Sequence, residues 1–186
     1  MTKPRLFAHI CCAPDASYVV DLLQKEFDVT GFFYNPNIWP REEYLLRLGE
    51  TEKLKKILGF ELVEGTFDQD LWFRLTERFK DEPEKGRRCD ICYALRLDRT
   101  AREAVRLGWP SFATIMSISP WKKADVLNRI GRLAGRKHHR RFVEGDFKKK
   151  GGFQISIELS RRYGLYRQNY CGCIYSRRPP HGQTDR

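Results

Sequence analysis

Cysteines are the residues of this chain best suited to chemistry. The six of them form three tight pairs: Cys11 with Cys12, Cys89 with Cys92, and Cys171 with Cys173. More than seventy cysteine-free residues separate each pair from the next. Thiolate sulfur is a preferred ligand of zinc and of iron–sulfur clusters, and such a centre needs several sulfurs at one point. The spacing therefore predicts a metal or redox site that folding assembles from distant parts of the chain.

The length and composition indicate a globular protein. The chain has 186 residues, of which 41% are hydrophobic and 32% charged. This predicts one catalytic domain over residues 1–176 and a polar tail over residues 177–186. No apolar run approaches the roughly 20 residues of a membrane span, and the amino terminus lacks a secretory pattern. We therefore expect a cytoplasmic protein whose cysteine pairs are ligands or redox centres, since thiols stay reduced there.

The charge balance suggests a partner. Lysine and arginine number 35 and the acidic residues 24, which gives a formal net charge of +11. A phosphate-rich polymer is attracted to such a surplus by electrostatic steering and counterion release. The net charge alone does not decide between two interpretations: a surface that binds nucleic acid, and a basic surface that only keeps the protein soluble.

Hydrophobic periodicity predicts alternating strands and helices. The predicted strands are residues 6–10, 29–34, 61–67, 111–116 and 141–147. The predicted helices are residues 16–27, 42–58, 69–79, a helix from the Cys89 pair to residue 107, 124–134 and 155–163. This alternation predicts a single α/β domain, Rossmann-like, with a parallel sheet covered by helices on both faces. Ligands of such sheets bind at the carboxyl ends of the strands, where we expect the metal site.

The first cysteine pair lies at such a strand end. Residues 9–15 read His-Ile-Cys-Cys-Ala-Pro-Asp, directly after the first predicted strand. The glycine-rich loop of a nucleotide-binding fold is missing there, and two thiols and the carboxylate of Asp15 stand in its place. The alternative is a pair of buried free cysteines that act as small hydrophobic residues.

The second pair has the spacing of two residues on one face of a helix start. Cys89 and Cys92 together with Cys11 and Cys12 supply four sulfurs, the number that a [4Fe-4S] cluster takes. A structural zinc site uses the same four ligands, and a C-x-x-C pair also serves thiol–disulfide exchange.

The third pair leaves two interpretations open. A disulfide between Cys171 and Cys173 would close a cramped ring and be easily reduced, which suits a redox-active pair. The same two thiolates would equally suit a second metal, with Asp15 as an oxygen ligand. Nearby, aromatic and basic residues alternate in a pattern that suits stacking on unpaired bases: Arg161, Arg162, Tyr163, Tyr166, Arg167 and Tyr170. An ordinary amphipathic helix with its exit loop would look much the same.

Four segments carry a family resemblance. They are residues 9–15, Cys-Asp-Ile-Cys-Tyr at 89–93, Ser-Ile-Ser-Pro at 117–120, and Tyr-Arg-Gln-Asn-Tyr-Cys-Gly-Cys at 166–173. Together, over about residues 6–176, they resemble the QueH family of cobalamin-independent epoxyqueuosine reductases. The resemblance implies reduction of epoxyqueuosine to queuosine at the wobble position of tRNA. It also implies iron–sulfur dependence and a sheet like that of the adenine-nucleotide α-hydrolases.

The resemblance and the residues together give a mechanistic hypothesis. Cys11, Cys12, Cys89 and Cys92 are expected to hold a [4Fe-4S] cluster. Cys171 and Cys173 are expected to form a reducible pair, or with Asp15 the seat of a second, single iron. The ligands could also be permuted between the pairs. His9, Asp15 and Tyr93 are candidate proton sources.

The expected partners are the anticodon loop of tRNA and an external electron donor, with no membrane involved. Two alternatives compete with a reductase. An iron–sulfur tRNA thiolation enzyme would need the phosphate loop that the first strand lacks. A zinc-stabilised RNA-binding protein would have no catalytic activity.

Overall fold

The fold is described from a computed structural model, which defines residues 2–176. The predicted polar tail at residues 177–186 lies outside the described residues. Five strands form the sheet: β1 (Arg5–Ile10), β2 (Asp28–Phe33), β3 (Glu61–Glu64), β4 (Ser111–Thr114) and β5 (Arg141–Phe142). Six α-helices accompany it: α1 (Ala13–Gln24), α2 (Arg41–Leu58), α3 (Gln69–Thr76), α4 (Arg87–Arg106), α5 (Ala124–His138) and α6 (Gly152–Arg162). Four 3₁₀ turns complete the description: Glu77–Phe79, Ile115–Ile118, Lys149–Gly151 and Ile174–Ser176.

All strand pairs are parallel, and the strand order is β3-β2-β1-β4-β5. The chain runs from β1 outward to β3 and then returns to the other side of β1, where β4 pairs. The carboxyl ends of β1 and β4 therefore flank a switch point, which is the usual ligand-binding position of such sheets. The predicted parallel α/β fold is confirmed.

The helices cover the sheet in two groups. Helix α1 packs against α2 and α6, while α4 packs against α3 and α5. The central strand is closed off on both sides as a result: residues Leu6–Ile10 of β1 are all buried. Within the described part of the chain, no helix combines the length and apolar character that a bilayer crossing requires.

Several predicted boundaries were wrong in ways that matter for the site. Helix α1 begins at Ala13 instead of residue 16, because Pro14 is well suited to the first turn of a helix. This places Asp15 in that first turn. Helix α4 begins at Arg87, so both Cys89 and Cys92 lie near its amino terminus.

The last predicted strand is much shorter than expected. Only Arg141 and Phe142 pair with β4, and one further bond joins the Val143 N–H to the Phe112 carbonyl. The ring of Phe142 packs directly over Gly131 of α5, and any residue with a Cβ at position 131 would clash with that ring. Strand β5 is therefore covered by α5 and not by further strand pairing. The residues after Phe142 leave the sheet.

Candidate metal centre

The first sulfur site is built by the junction of β1 and α1. Cys11 and Cys12 follow the strand directly, and Asp15 lies in the first turn of the helix. The Cys11 Sγ lies 3.9 Å from the Cys12 Sγ and 3.8 Å from the Asp15 Oδ2. One ligand atom from each of the three residues lies within 4.8 Å of the other two. We call these three residues the two-sulfur group.

The second sulfur site joins α4 to the carboxyl-terminal segment. Four cysteines line one small cavity with Trp72 and Tyr93, and we call them the four-sulfur group: Cys89, Cys92, Cys171 and Cys173. Cys92, Cys173 and Trp72 also belong to one buried cluster, separate from the main hydrophobic core. All six cysteines of the chain are free thiols in the structure, so Cys171 and Cys173 are not joined as a disulfide.

Backbone hydrogen bonds hold the last cysteine pair in place. The Trp39 N–H donates to the Gly172 carbonyl at 2.9 Å. The Arg47 guanidinium donates to the carbonyls of Tyr170 and Cys171 at 3.3 and 3.2 Å. Gly172 has a φ of +105°, and a Cβ there would lie 2.9 Å from the Cγ1 of Ile38. Only glycine fits this turn, which points both flanking cysteines toward α4.

A buried cation connects the two groups. Arg96 of α4 is 3% exposed and lines the cavity of the four-sulfur group as well as a second, larger cavity over the two-sulfur group. Its guanidinium donates to the Asn35 Oδ1 at 2.7 Å and to the His9 Nε2 at 3.2 Å, and it lies 3.9 Å from the Cys92 Sγ. Such a charge, taken out of water, stabilises nearby anions strongly.

The thiols of the four-sulfur group differ in their tendency to ionise. Burial raises the pKa of Cys89 to about 11 and also raises that of Cys92. A hydrogen bond from the Cys173 thiol lowers the pKa of Cys171 well below its ordinary value, and the same contact raises the pKa of Cys173. Cys171 is therefore the thiol of this group that ionises most readily. A bound cation would favour ionisation of the others.

The two-sulfur group shows the same asymmetry. A hydrogen bond from the Cys12 thiol lowers the pKa of Cys11, while the pKa of Cys12 is raised well above its ordinary value. Beside them, burial opposes the charge of Lys122, but the negative charges of Cys11, Asp15 and Cys171 outweigh it and raise the pKa of that amine. Lys122 therefore stays protonated and offsets the charge of the sulfurs.

A larger cavity opens over the two-sulfur group, and we call it the main cavity. Its volume is about 200 Å³, and its lining includes Cys11, Cys12, Asp15 and also Cys171. Cys171 belongs to both cavities, so the two sulfur groups meet there. Four basic residues line the walls: Arg47, Arg96, Lys122 and Arg167. The cavity suits a ligand that carries negative charge or hydrogen-bond acceptors.

The predicted grouping put Cys11 and Cys12 in one cluster with Cys89 and Cys92, and Asp15 beside Cys171 and Cys173. The structure places Asp15 with the first pair, and it places the second and third pairs around one cavity. Hydrogen bonds from Trp39 and Arg47 hold residues 171–173 near α4. Which of the six cysteines hold a cluster stays a prediction.

The candidate proton sources lie in different surroundings. His9 is fully buried beneath the cysteines, with Nδ1 3.0 Å from the Thr114 Oγ1. Burial, followed by the charge of Arg96, lowers its pKa well below the ordinary value. Tyr93 lines the cavity of the four-sulfur group, and burial raises its pKa. Asp15 lines the main cavity.

Sequence reasoning missed several residues of the site. Arg96 lies four residues after Cys92, on the same face of α4, and this spacing was an available signal. Arg47 had no comparable signal, because it reaches the site only through tertiary packing. The buried Trp72 indole N–H has no hydrogen-bond partner among the described residues, and Trp72 packs in the same buried cluster as Cys92.

Fold and site together define an α/β protein with a cysteine-rich centre at the carboxyl edge of its sheet. The model of the family Epoxyqueuosine reductase QueH matches residues 6–179. The chain is 34% identical over 180 residues to Epoxyqueuosine reductase QueH of Streptococcus pyogenes serotype M1, covering 94% of this chain and 71% of that protein. The protein of the same name from Thermotoga maritima is 35% identical over 184 residues, covering 96% of this chain and 94% of the relative. The chain therefore belongs to the epoxyqueuosine reductase QueH family, a family of oxidoreductases.

A solved structure supports the fold. A predicted subunit of a tRNA methyltransferase from Methanocaldococcus jannaschii matches with a TM-score of 0.55 and 14% identity. The match covers 86% of this chain and 74% of the other. At this identity the likeness concerns the fold alone.

Proposed function

We propose that this protein reduces epoxyqueuosine in tRNA to queuosine. Family membership supports the reaction, and the observation that carries the proposal is the meeting of two sulfur groups at Cys171 beneath a basic cavity. Removal of an epoxide oxygen consumes two electrons and two protons and leaves an alkene and water. The electrons must come from an external low-potential donor. Because the substrate is tRNA, we place the enzyme in the cytoplasm.

We assign a [4Fe-4S] cluster to the four-sulfur group. Four sulfurs that line one cavity match the donor set of a cubane. Arg88, Arg96 and Lys122 line the same cavity, and their charges would offset the negative charge of a thiolate-bound cluster. The buried indole N–H of Trp72 is suited to donate toward sulfur. This assignment replaces the predicted set of Cys11, Cys12, Cys89 and Cys92.

We assign a single iron to the two-sulfur group. Two thiolates and the Asp15 carboxylate provide three ligands and leave positions open toward the main cavity. When bound, the cluster would supply single electrons and the iron a Lewis-acid contact for the epoxide oxygen. In this form Cys171 and Cys173 act as ligands and not as a redox disulfide.

The residues of the chain itself orient the substrate and supply protons. Arg47, Lys122 and Arg167 line the main cavity and attract a polyanionic substrate. Tyr93 remains the proposed proton source, since it lines the cavity of the four-sulfur group, whereas the Asp15 carboxylate is assigned to the iron. We propose that His9 positions the site and does not donate a proton, because its Nδ1 contacts the Thr114 Oγ1 and its Nε2 accepts from the Arg96 guanidinium.

The test is anaerobic reconstitution with iron and sulfide, followed by a low-potential reductant and tRNA that bears epoxyqueuosine. Mass spectrometry of the nucleosides should show conversion to queuosine, and a Cys11→Ser variant should show none. The proposal fails if reconstituted protein leaves epoxyqueuosine unchanged, or if oxygen-free purification yields a colourless zinc protein.

A further inference from the structure

The rim of the main cavity carries an exposed tryptophan. The side chain of Trp121 is 51% exposed, although tryptophan is usually among the better-buried residues. It lines the main cavity together with Lys122, while Cys11 and Cys12, which line the same cavity, are 8% and 1% exposed. The indole therefore stands at the entrance and the sulfurs at the floor.

The backbone beneath this tryptophan is well anchored. The Trp121 N–H donates to the Ser119 Oγ at 3.3 Å, and the Lys122 N–H donates to the Ser119 carbonyl at 3.1 Å. The preceding 3₁₀ turn, Ile115–Ile118, is buried throughout. An exposed ring on a fixed base loses little conformational freedom on binding a flat partner.

Two pairs of a cation and an aromatic ring lie at the main cavity. The Nζ of Lys85 lies 5.4 Å from the centre of the Trp121 ring. The guanidinium of Arg167 lies 5.2 Å from the ring of Phe153, and both residues line the cavity. Aromatic faces that stack on bases, with cations for phosphates, are how proteins bind unpaired nucleic acid strands.

We propose that Trp121 is the stacking platform for the base of a nucleotide adjacent to the one that enters the main cavity. The inference rests on the proposed function, because it takes an unpaired stretch of RNA as the substrate. The stacked base stays at the entrance, since Trp121 is half exposed while Cys11 and Cys12 are buried. Trp121 thus binds the RNA and positions the reacting nucleotide without touching the epoxide.

The first experiment measures binding. Fluorescence anisotropy gives the Kd of an anticodon stem-loop RNA for the reconstituted wild type, Trp121→Ala and Trp121→Phe. Loss of one base–aromatic stack should weaken binding by about 5- to 150-fold in Trp121→Ala. Trp121→Phe should recover most of that loss. Leu133→Ala is the matched control, because Leu133 is 47% exposed on α5, outside the main cavity, and should bind like the wild type.

The second experiment identifies the stacked base. Two stem-loops are compared with the intact one: the first has an abasic nucleotide on the 5′ side of the wobble position, and the second has it on the 3′ side. One of the two should bind the wild type more weakly than the intact stem-loop does. At that side Trp121→Ala should lose nothing further, because the partner of the ring is already gone. Iron and sulfide contents equal to those of the wild type confirm that the variant is folded and loaded.

Two results would overturn the inference. The first is a Kd of Trp121→Ala within twofold of the wild type. The second is that Trp121→Ala weakens the binding of the intact RNA and of both abasic RNAs by the same factor. Failure of the proposed function looks different. In that case the wild type would not reduce epoxyqueuosine in tRNA, while the stem-loop affinities would still depend on Trp121.

Discussion

The two sulfur groups differ in how the chain builds them. The two-sulfur group lies within five residues at one strand–helix junction, Cys11–Asp15. The four-sulfur group needs the start of α4 and a segment about eighty residues further on. The first mixes sulfur with oxygen and faces the main cavity, whereas the second is all sulfur. A local, mixed site suits one ion with open positions, and an assembled all-sulfur site suits a closed cluster.

The largest effect is expected from a change within the four-sulfur group. Cys92→Ser should abolish the brown chromophore, the bound sulfide and the reduction of epoxyqueuosine together. Cys92 is buried, and a serine hydroxyl is a far poorer ligand for iron–sulfur clusters than a thiolate. Absorbance and sulfide analysis after anaerobic reconstitution measure this. Retention of full sulfide in Cys92→Ser would contradict the four-sulfur assignment.

A change within the two-sulfur group should act on iron alone. Asp15→Asn should lower iron content, leave sulfide and chromophore unchanged, and reduce turnover by at least about 100-fold, since an amide is a far poorer ligand than a carboxylate. Parallel iron and sulfide determinations on the wild type and the variant test this. If Asp15→Asn lost sulfide in proportion to iron, the two groups would share one centre.

The buried cation between the groups should contribute to stability. Arg96→Gln removes the donor to the Asn35 Oδ1, and an unpaired buried acceptor costs about 1–3 kcal/mol of the free energy of unfolding. Urea denaturation of the metal-free protein measures the difference. Arg136→Gln serves as the control, because Arg136 is exposed on α5 and its replacement should stay within about 0.5 kcal/mol. Equal effects of the two substitutions would show that Arg96 is not an anchor.

The smallest effect is expected on the outer part of α4, away from both sulfur groups. Partial burial opposes the ionisation of Asp98, but hydrogen bonds from Lys137 and His138 outweigh it and lower the pKa of the carboxyl. The resulting stabilisation of the folded state is present when the pH is above 3.8, the ordinary pKa of an aspartate. It is lost as the pH falls through the lowered pKa of Asp98. Solvent screening keeps it small, so Asp98→Asn should cost under about 1 kcal/mol at pH 7.

The pH dependence provides the check on this last prediction. Urea unfolding of the wild type and Asp98→Asn at pH 7 and near pH 3 should show the difference shrinking as the carboxyl becomes protonated. A difference that grew toward low pH would mean that Asp98 is not stabilised as an anion.

The sequence predicted the local parts of the site better than the assembled ones. The alternation of β-branched and aromatic runs with helical spacing is enough to place β1 and β2, and Cys11 and Cys12 necessarily follow β1. The residues that surround Cys171 could not be predicted. Hydrogen bonds from Trp39 and Arg47 place its segment, and these bonds join residues more than 120 positions apart in the chain. His9 is buried because β1 is the central strand, which its own residue type does not reveal.

The most direct test of the central claim compares two double variants after anaerobic reconstitution. Iron and acid-labile sulfide are determined in Cys11→Ser/Cys12→Ser and in Cys171→Ser/Cys173→Ser. The account predicts that the first variant keeps its sulfide and brown colour while losing part of its iron, and that the second loses sulfide and colour entirely. Loss of sulfide from the first variant with retention in the second would contradict the division of the six cysteines into these two groups.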